Sequence, residues 1–130
     1  MKRVEEKIAI VTGGAVGLGQ AAAQLLAREG ARVVVTDVNG EEGERTAKRI
    51  EDAGGQALFV HHDVASEQAW AAVIEACLRR FGGLDVLVNN AGVALGADVE
   101  NTSLEQWRWL MAINLDGVFL GTKAAIGAMK

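Results

Sequence analysis

Apolar and polar positions change period several times along the chain, and each change marks an element. Lys7–Thr12, KIAIVT, is short, β-branched and followed by glycines, the pattern of a buried strand. From Gly17 the spacing lengthens. Leu18, Ala21, Ala22, Leu25 and Leu26 fall on one helical face, with Gly30 placed to close the helix. Arg32–Asp37, RVVVTD, predicts a second strand. GEEGERTAKRIEDAGG opens with acids, carries bases further on and stops at two glycines, which suits a helix dipole. Ala57–His62, ALFVHH, predicts a third strand. Ser66 is placed to cap a helix in which Trp70, Val73, Ile74, Cys77, Leu78 and Phe81 recur at helical spacing, the strongest amphipathic signal in the chain. LDVLVNN predicts a fourth strand and AGVALGADVEN a loop. TSLE predicts a capping box of Thr102 with Glu105, opening a helix with Leu104, Trp107 and Met111 on one face. A last helix is expected from about Asn114.

Strict alternation of strand and helix implies a parallel sheet with helices on both faces. Right-handed crossovers then predict strand order 3-2-1-4, the first part of a doubly wound, Rossmann-type α/β fold. A length of 130 residues fits one domain, residues 1–130. The last helix is apolar on two sides. Leu115, Val118, Phe119, Ile126 and Met129 form one face, and Gly117, Gly121, Ala124 and Ala128 form a stripe of small residues. One side is expected to cover the sheet, and the small stripe to let another helix approach closely. The fourth strand is expected to present an unpaired edge.

Composition narrows the classes of function. The formal net charge of −4 argues against nucleic acid or an anionic membrane as partner. No apolar run is expected to span a membrane, which takes roughly 18 residues, and the first residues carry acids before a strand, unlike a signal peptide. A cytoplasmic protein is expected. Cys77 is the single cysteine, and one thiol neither staples a fold nor holds a zinc alone.

The chemistry concentrates in the turns that follow the strands. In TGGAVGLG, Gly13, Gly17 and Gly19 let the backbone turn sharply off the strand and bring bare amides to a phosphate, at a helix start whose dipole favours an anion. The alternative is a glycine-rich turn serving only close helix–strand contact. Asp37 ends the second strand 18 residues after Gly19, where an acid accepts both ribose hydroxyls of an adenosine and repels a 2′-phosphate. The alternative is an acid that caps the following helix. Asp63 offers a carboxylate to an adenine amino group with Val64 beside the ring, or is a turn aspartate. NNAG, Asn89–Gly92, closes the fourth strand at the point where the winding reverses. His61 and His62 fall on the adenine side and are given no catalytic role, and neither is Lys123. Cys77 and Trp107 are expected in the core; Trp109 lies off that helical face.

Taken in order, TGGAVGLG, Asp37, Asp63-Val64, NNAG and INLDGVF closely resemble the short-chain dehydrogenase/reductase family over nearly the whole chain. The resemblance implies NAD(P)-dependent interconversion of a small-molecule secondary alcohol and a ketone. It implies that Gly13, Val16, Gly17, Leu18 and Gly19 line the pyrophosphate. Asp37 and Val38 would hold the adenosine ribose, Asp63 and Val64 the adenine. Asn90, Ala91 and Gly92 would pass under the nicotinamide side. Asn114 would be the asparagine of the family's catalytic tetrad, helping to hold a proton-relay water. Asp37 makes NAD the expected cofactor and NADP the less favoured one. A homo-oligomer is expected, through the last helix, whose family equivalent lies at a subunit interface, or through the exposed edge of the fourth strand.

The family's other catalytic residues, a Ser and a Tyr-x-x-x-Lys, lie beyond a fifth strand, and this sequence contains no tyrosine. The chain therefore reads as the cofactor-binding front portion of such an enzyme, incomplete at its C-terminal end and without appreciable turnover alone. A non-catalytic NAD-binding module and a Rossmann-like methyltransferase are the competing readings.

Overall fold

The computed structural model describes residues 2–130. Its elements run β1 (Ile8–Thr12), α1 (Gly17–Arg28), β2 (Arg32–Asp37), α2 (Gly40–Asp52), β3 (Gln56–His61), α3 (Glu67–Phe81) and β4 (Val86–Val88). A 3-10 turn (Val99–Asn101) then leads into α4 (Leu104–Met111), a π-helical turn (Ala112–Asp116) and α5 (Gly117–Met129). The four strands are parallel in the order β3-β2-β1-β4, as the alternation predicts.

The sheet separates two apolar layers. On one face Val11, Val33, Val35 and Ala57 pack with Ala23, Ala27, Ala47 and Ile50 of α1 and α2. On the other, Ile8, Ile10 and Val34 pack with Val73, Cys77 and Phe81 of α3 and Ala125 of α5. Alternate residues of each strand feed opposite layers, so all five residues of β1 are buried. Burial pushes the Cys77 thiol up to about 11, and Cys77 sits in the core as expected.

Helix ends follow local chemistry. Ser66 caps α3 through the Ala69 amide, and Gly82 closes that helix in the left-handed conformation at φ 86°. Asn39 caps α2 by accepting from the Glu42 amide. The start of α4 differs from expectation by one residue. The capping box is Ser103 with Gln106, not Thr102 with Glu105, and the Thr102 hydroxyl instead donates to the Asp98 carbonyl 2.7 Å away. Glutamine at the third helical position reaches back to the Ser103 amide as glutamate would. The fourth strand is also shorter than LDVLVNN: at its start the Asp85 side chain takes the Ile8 amide, and past its end the Asn90 amide turns to the Thr12 hydroxyl.

Three packing expectations are overturned. In α1 the buried face is Gly19, Ala23 and Ala27, while Leu18 and Leu25 are exposed. In α5 the buried residues are Gly117, Gly121 and Ala125, while Leu115, Phe119 and Ile126 are exposed. The small stripe does admit a helix at close range, but that helix is the chain's own α3. A Cβ on Gly121 would lie 2.5 Å from the Trp70 ring. Trp107 is 52% exposed rather than core, and Leu104 lies on the surface with it.

The two helices expected at the end are one. Leu104–Met129 runs continuously through the π-turn for 26 residues, long and apolar enough by length and composition to cross a membrane. Gly117, Gly121 and Ala125 fasten its second half to α3 and the sheet.

Candidate functional site

Every strand delivers its candidate residues to the same edge of the sheet, the carboxyl edge. There they border one crevice of about 330 Å³. The turn after β1 contributes Gly13 and Val16, and the end of β2 contributes Asp37 and Val38. Asp63 and Val64 follow β3; Asn90, Ala91 and Gly92 follow β4. Val93 and Ile113, not singled out from the sequence, complete the wall together with His62, which lies on the side of Asp63 and Val64 where the strand order put it. β1 and β4 are adjacent here, and this is the position where open α/β sheets bind ligands.

The glycine turn is braced from several sides. Gly13 and Gly17 adopt φ of 62° and 61°, a region that disfavours residues with a Cβ. Ala15 between them donates its amide to Asp37 Oδ2 at 3.1 Å and accepts the Thr46 hydroxyl at 2.9 Å. Gly14 N donates to the Thr36 carbonyl. Gly19 lies beneath the turn, where a Cβ would run into the Gly13 carbonyl and the Asn90 amide group. Gly17 and Leu18 sit on the exposed rim and do not line the crevice.

The start of α1 is chemically distinct from the starts of α2, α3 and α4. Each of those has a side-chain cap, from Asn39, Ser66 and Ser103. The residue before α1 is Val16, which makes no side-chain hydrogen bond, and no acid stands in the first turn. The first amides of α1 therefore meet no carboxylate or hydroxyl from this chain's own capping position. An anion suits them.

Thr12 and Asn90 stitch β1 to β4 behind the turn. The Thr12 hydroxyl accepts the Asn90 and Ala91 amides, both at 3.0 Å. Asn90 Nδ2 donates to the Thr12 and Gly13 carbonyls, both at 3.1 Å. Asn114, inside the π-turn, grips the loop beyond. Its Oδ1 accepts the Val93 amide at 2.8 Å, and its Nδ2 donates to the Val93 carbonyl at 2.7 Å. Asn114 does not line the crevice but fastens a residue that does.

Asp37 presents a carboxylate at the opposite end. Oδ1 accepts the Asn39 amide at 3.0 Å and Oδ2 the Ala15 amide, leaving further lone pairs for hydroxyl donors. Nothing cationic lines this crevice. Arg45 of α2 is paired with Glu41 and Glu42. His62 is buried with its ring beside Trp70, and burial pushes its pKa down to about 4, so the imidazole is neutral.

A slightly larger hollow, about 360 Å³, lies at the opposite, amino edge of the sheet beside Arg28 and Arg49. It gathers the carbonyl ends of α1 and α2 with Lys2, Arg28 and Arg49 around them, and none of the candidate residues. The carboxyl-edge crevice is the one with convergent chemistry.

A parallel sheet in this order, with a glycine turn and an uncapped helix at the switch point, defines a Rossmann-type nucleotide-binding fold. Comparison with known proteins makes the assignment narrower. The family model described as short chain dehydrogenase matches residues 7–130, and the chain belongs to that family. It is 45% identical to a trans-4-hydroxycyclohexanecarboxylate dehydrogenase of Sinomonas cyclohexanicum, over 98% of this chain and 52% of that protein. It is 44% identical to an NADP-dependent (R)-specific alcohol dehydrogenase of Lentilactobacillus kefiri, over 98% of this chain and 50% of the relative. A solved short-chain dehydrogenase/reductase variant from Serratia marcescens superposes with a TM-score of 0.93 at 34% identity, over 98% of this chain and 52% of that one. The chain thus spans about half the length of the curated relatives it matches.

Proposed function

We propose that this chain carries the nicotinamide-dinucleotide site of an oxidoreductase that interconverts a small-molecule secondary alcohol and a ketone. The observation that carries the reading is the uncapped start of α1 at a turn with two positive-φ glycines, braced by the Asp37 carboxylate, with Gly13, Val16 and Asp37 bordering one crevice. The amides at Gly17–Gly19 suit a diphosphate, and Asp37 suits the ribose hydroxyls beyond it. Asp63 and Val64 take the adenine, and Asn90–Gly92 underlie the nicotinamide half. Val16 and Val38 supply apolar wall. When bound, the cofactor accepts or returns a hydride.

The chain's own residues bind and orient. Thr12 and Asn90 fix the floor of the crevice, and Asn114 holds Val93 beside it. We assign Asn114 to the catalytic group by position. Both its amide atoms are committed to Val93, so any hold on a relay water uses their remaining hydrogen-bonding capacity or the backbone of the π-turn. The 130 residues hold no phenol to pass a proton to the substrate oxygen, so we expect no dehydrogenase turnover from them alone. We place the protein in the cytoplasm and expect it to self-associate through the exposed apolar face of α5.

NAD is the favoured dinucleotide. A 2′-phosphate would approach the Asp37 carboxylate with no cation lining the crevice to offset it. Calorimetric titration with NAD and NADP tests this. NAD is expected to bind at least about tenfold tighter, or ~1.4 kcal/mol. Tighter binding of NADP would reverse the cofactor assignment, and binding of neither would remove the function.

A further inference from the structure

We propose that His62 is a positioning residue of the adenine subsite, and that through Trp70 it sets the site's preference for adenine over other bases. The inference rests on the dinucleotide reading above and goes beyond it, to a side chain that has no place in that reading.

The geometry forms a closed bracket. His62 directly precedes Asp63 and Val64, and it is 2% exposed. Its Nδ1 meets the Thr36 hydroxyl at 2.9 Å, and Thr36 directly precedes Asp37. Its ring stands edge-on to Trp70, with centroids 4.3 Å apart and planes at 89°. Trp70 Nε1 in turn donates to the Val64 carbonyl at 2.8 Å. One buried chain of contacts therefore links the strand end that bears the ribose acid to the backbone of the adenine loop. The loop's local ties run from the Ala65 amide to Asp63 Oδ1 and from the Ser66 amide to the Asp63 carbonyl. Backbone and packing also hold the loop, through the His62 amide on the Asp37 carbonyl at 3.0 Å and Val64 against Gly117, but among the described residues the side-chain hydrogen bonds that join it to β2 and α3 are those of His62 and Trp70.

Core filling alone does not account for the residue. An apolar side chain would fill the space without leaving a polar atom behind. Instead His62 Nε2 is buried with no hydrogen-bond partner among the described residues, on a residue that borders the crevice. Such unsatisfied atoms call for a functional explanation. Burial keeps the ring neutral, so it holds Thr36 and Trp70 without adding a charge beside Asp63.

Discrimination follows from rigidity. Adenine presents an amino donor to the Asp63 carboxylate, whereas hypoxanthine presents a carbonyl that the carboxylate repels. A fixed carboxylate imposes that difference; a mobile one moves aside.

The test compares NAD, nicotinamide hypoxanthine dinucleotide and nicotinamide mononucleotide by calorimetry on the protein and on His62→Phe and Trp70→Phe. Both variants keep an aromatic ring, but the first loses the bond to Thr36 and the second the bond to Val64. The unmodified protein is expected to favour NAD over the hypoxanthine analogue by about tenfold or more. In each variant that preference should fall to about twofold, with the mononucleotide unaffected. In the unmodified protein, the His62 ring resonance should shift on adding AMP and stay still with nicotinamide mononucleotide. Retention of the full preference in a folded variant, or a parallel loss of mononucleotide binding, overturns the inference. So does a His62 resonance that ignores AMP, even if neither variant folds. Absence of NAD binding to the unmodified protein instead overturns the cofactor reading, and this inference with it.

Discussion

Gly19→Ala isolates the tightest point of the glycine turn. A methyl group there would collide with the Gly13 carbonyl oxygen and Asn90 Nδ2, and would sit 2.8 Å from the Gly13 carbonyl carbon. Those two groups are hydrogen-bonded to each other at 3.1 Å, so the methyl enters a bond that joins β4 to the turn. Overpacking of this kind costs about 1–3 kcal/mol. Loss of a buried partner for the Gly13 carbonyl adds about 1–3 kcal/mol. Alanine returns about 1 kcal/mol through its helix propensity. The balance is a loss of about 3 kcal/mol, taking the middle of each range. With a urea slope of about 1.5 kcal/mol/M, the unfolding midpoint falls by about 2 M. Gly17→Ala is the control, because a Cβ at that position meets nothing within 4 Å and the cost is confined to its φ of 61°. That cost is about 1–2 kcal/mol, below the loss expected at Gly19. A double variant with Asn90→Ala should be less destabilised than the sum of the single ones, since the methyl and the amide compete for one space. A Gly19→Ala protein as stable as the unmodified one, or strict additivity with Asn90→Ala, would refute the packing argument.

The depressed pKa of His62, about 4 against 6.5, fixes the sign of a pH effect. The unfolded chain binds the proton first, so this stabilisation is complete above about pH 6.5 and is lost as pH falls toward 4. About 3 kcal/mol is involved, by the free-energy equivalent of the shift. Urea midpoints of His62→Asn should therefore fall less over that window than those of the unmodified protein, and equal slopes would count against burial as the cause. Asp37→Ser should weaken NAD binding about 10–100-fold, the value of hydrogen bonds to a charged group, and narrow the margin over NADP. Calorimetry with both cofactors reads this, and unchanged NAD affinity would remove Asp37 from the ribose site. Phe119→Asp, on a side chain 63% exposed, should reduce self-association in sedimentation with a stability change within about 0.5 kcal/mol. An unaltered sedimentation profile would show that this face makes no contact between copies.

The order of the strands was legible because it follows from element alternation and crossover handedness alone. The crevice was legible for the same reason: once strand order is known, residues just after each strand must meet. Strand order put His62 on the side of Asp63 and Val64, but its contacts, like the placement of Ile113, depend on tertiary packing. His62 has no periodic signal, and its bond to Thr36 joins positions 26 residues apart. Ile113 reaches the crevice only because a π-turn keeps α4 and α5 in one helix, where two helices were expected. The cap at Ser103 was missed because Thr102 with Glu105 and Ser103 with Gln106 satisfy the same rule in adjacent registers. The direction of the preceding Asp98 turn, which takes up the Thr102 hydroxyl, decides between them.

The inverted faces of α1 and α5 have one cause. Gly19, Ala23 and Ala27 in α1, and Gly117, Gly121 and Ala125 in α5, are spaced by four, and each set forms the buried ridge of its helix. Both helices carry apolar residues on more than one side, so hydrophobicity alone does not choose the inward face. Volume chooses it. The partner of α5 has already filled the space with Trp70, and a Cβ at Gly117 would lie 2.8 Å from Val64 Cγ2. A Leu or Phe facing inward would push α5 away from the sheet. For α1 the limit is the turn itself, since the close approach of Gly19 to Gly13 brings the helix amides to the crevice. The large side chains are consequently left outside, at Leu18 and Leu25 on α1 and at Leu115, Phe119 and Ile126 toward the end of the chain. Close packing of small residues against Val64 and Trp70 thus leaves an apolar outer surface on α5, the face through which self-association is expected.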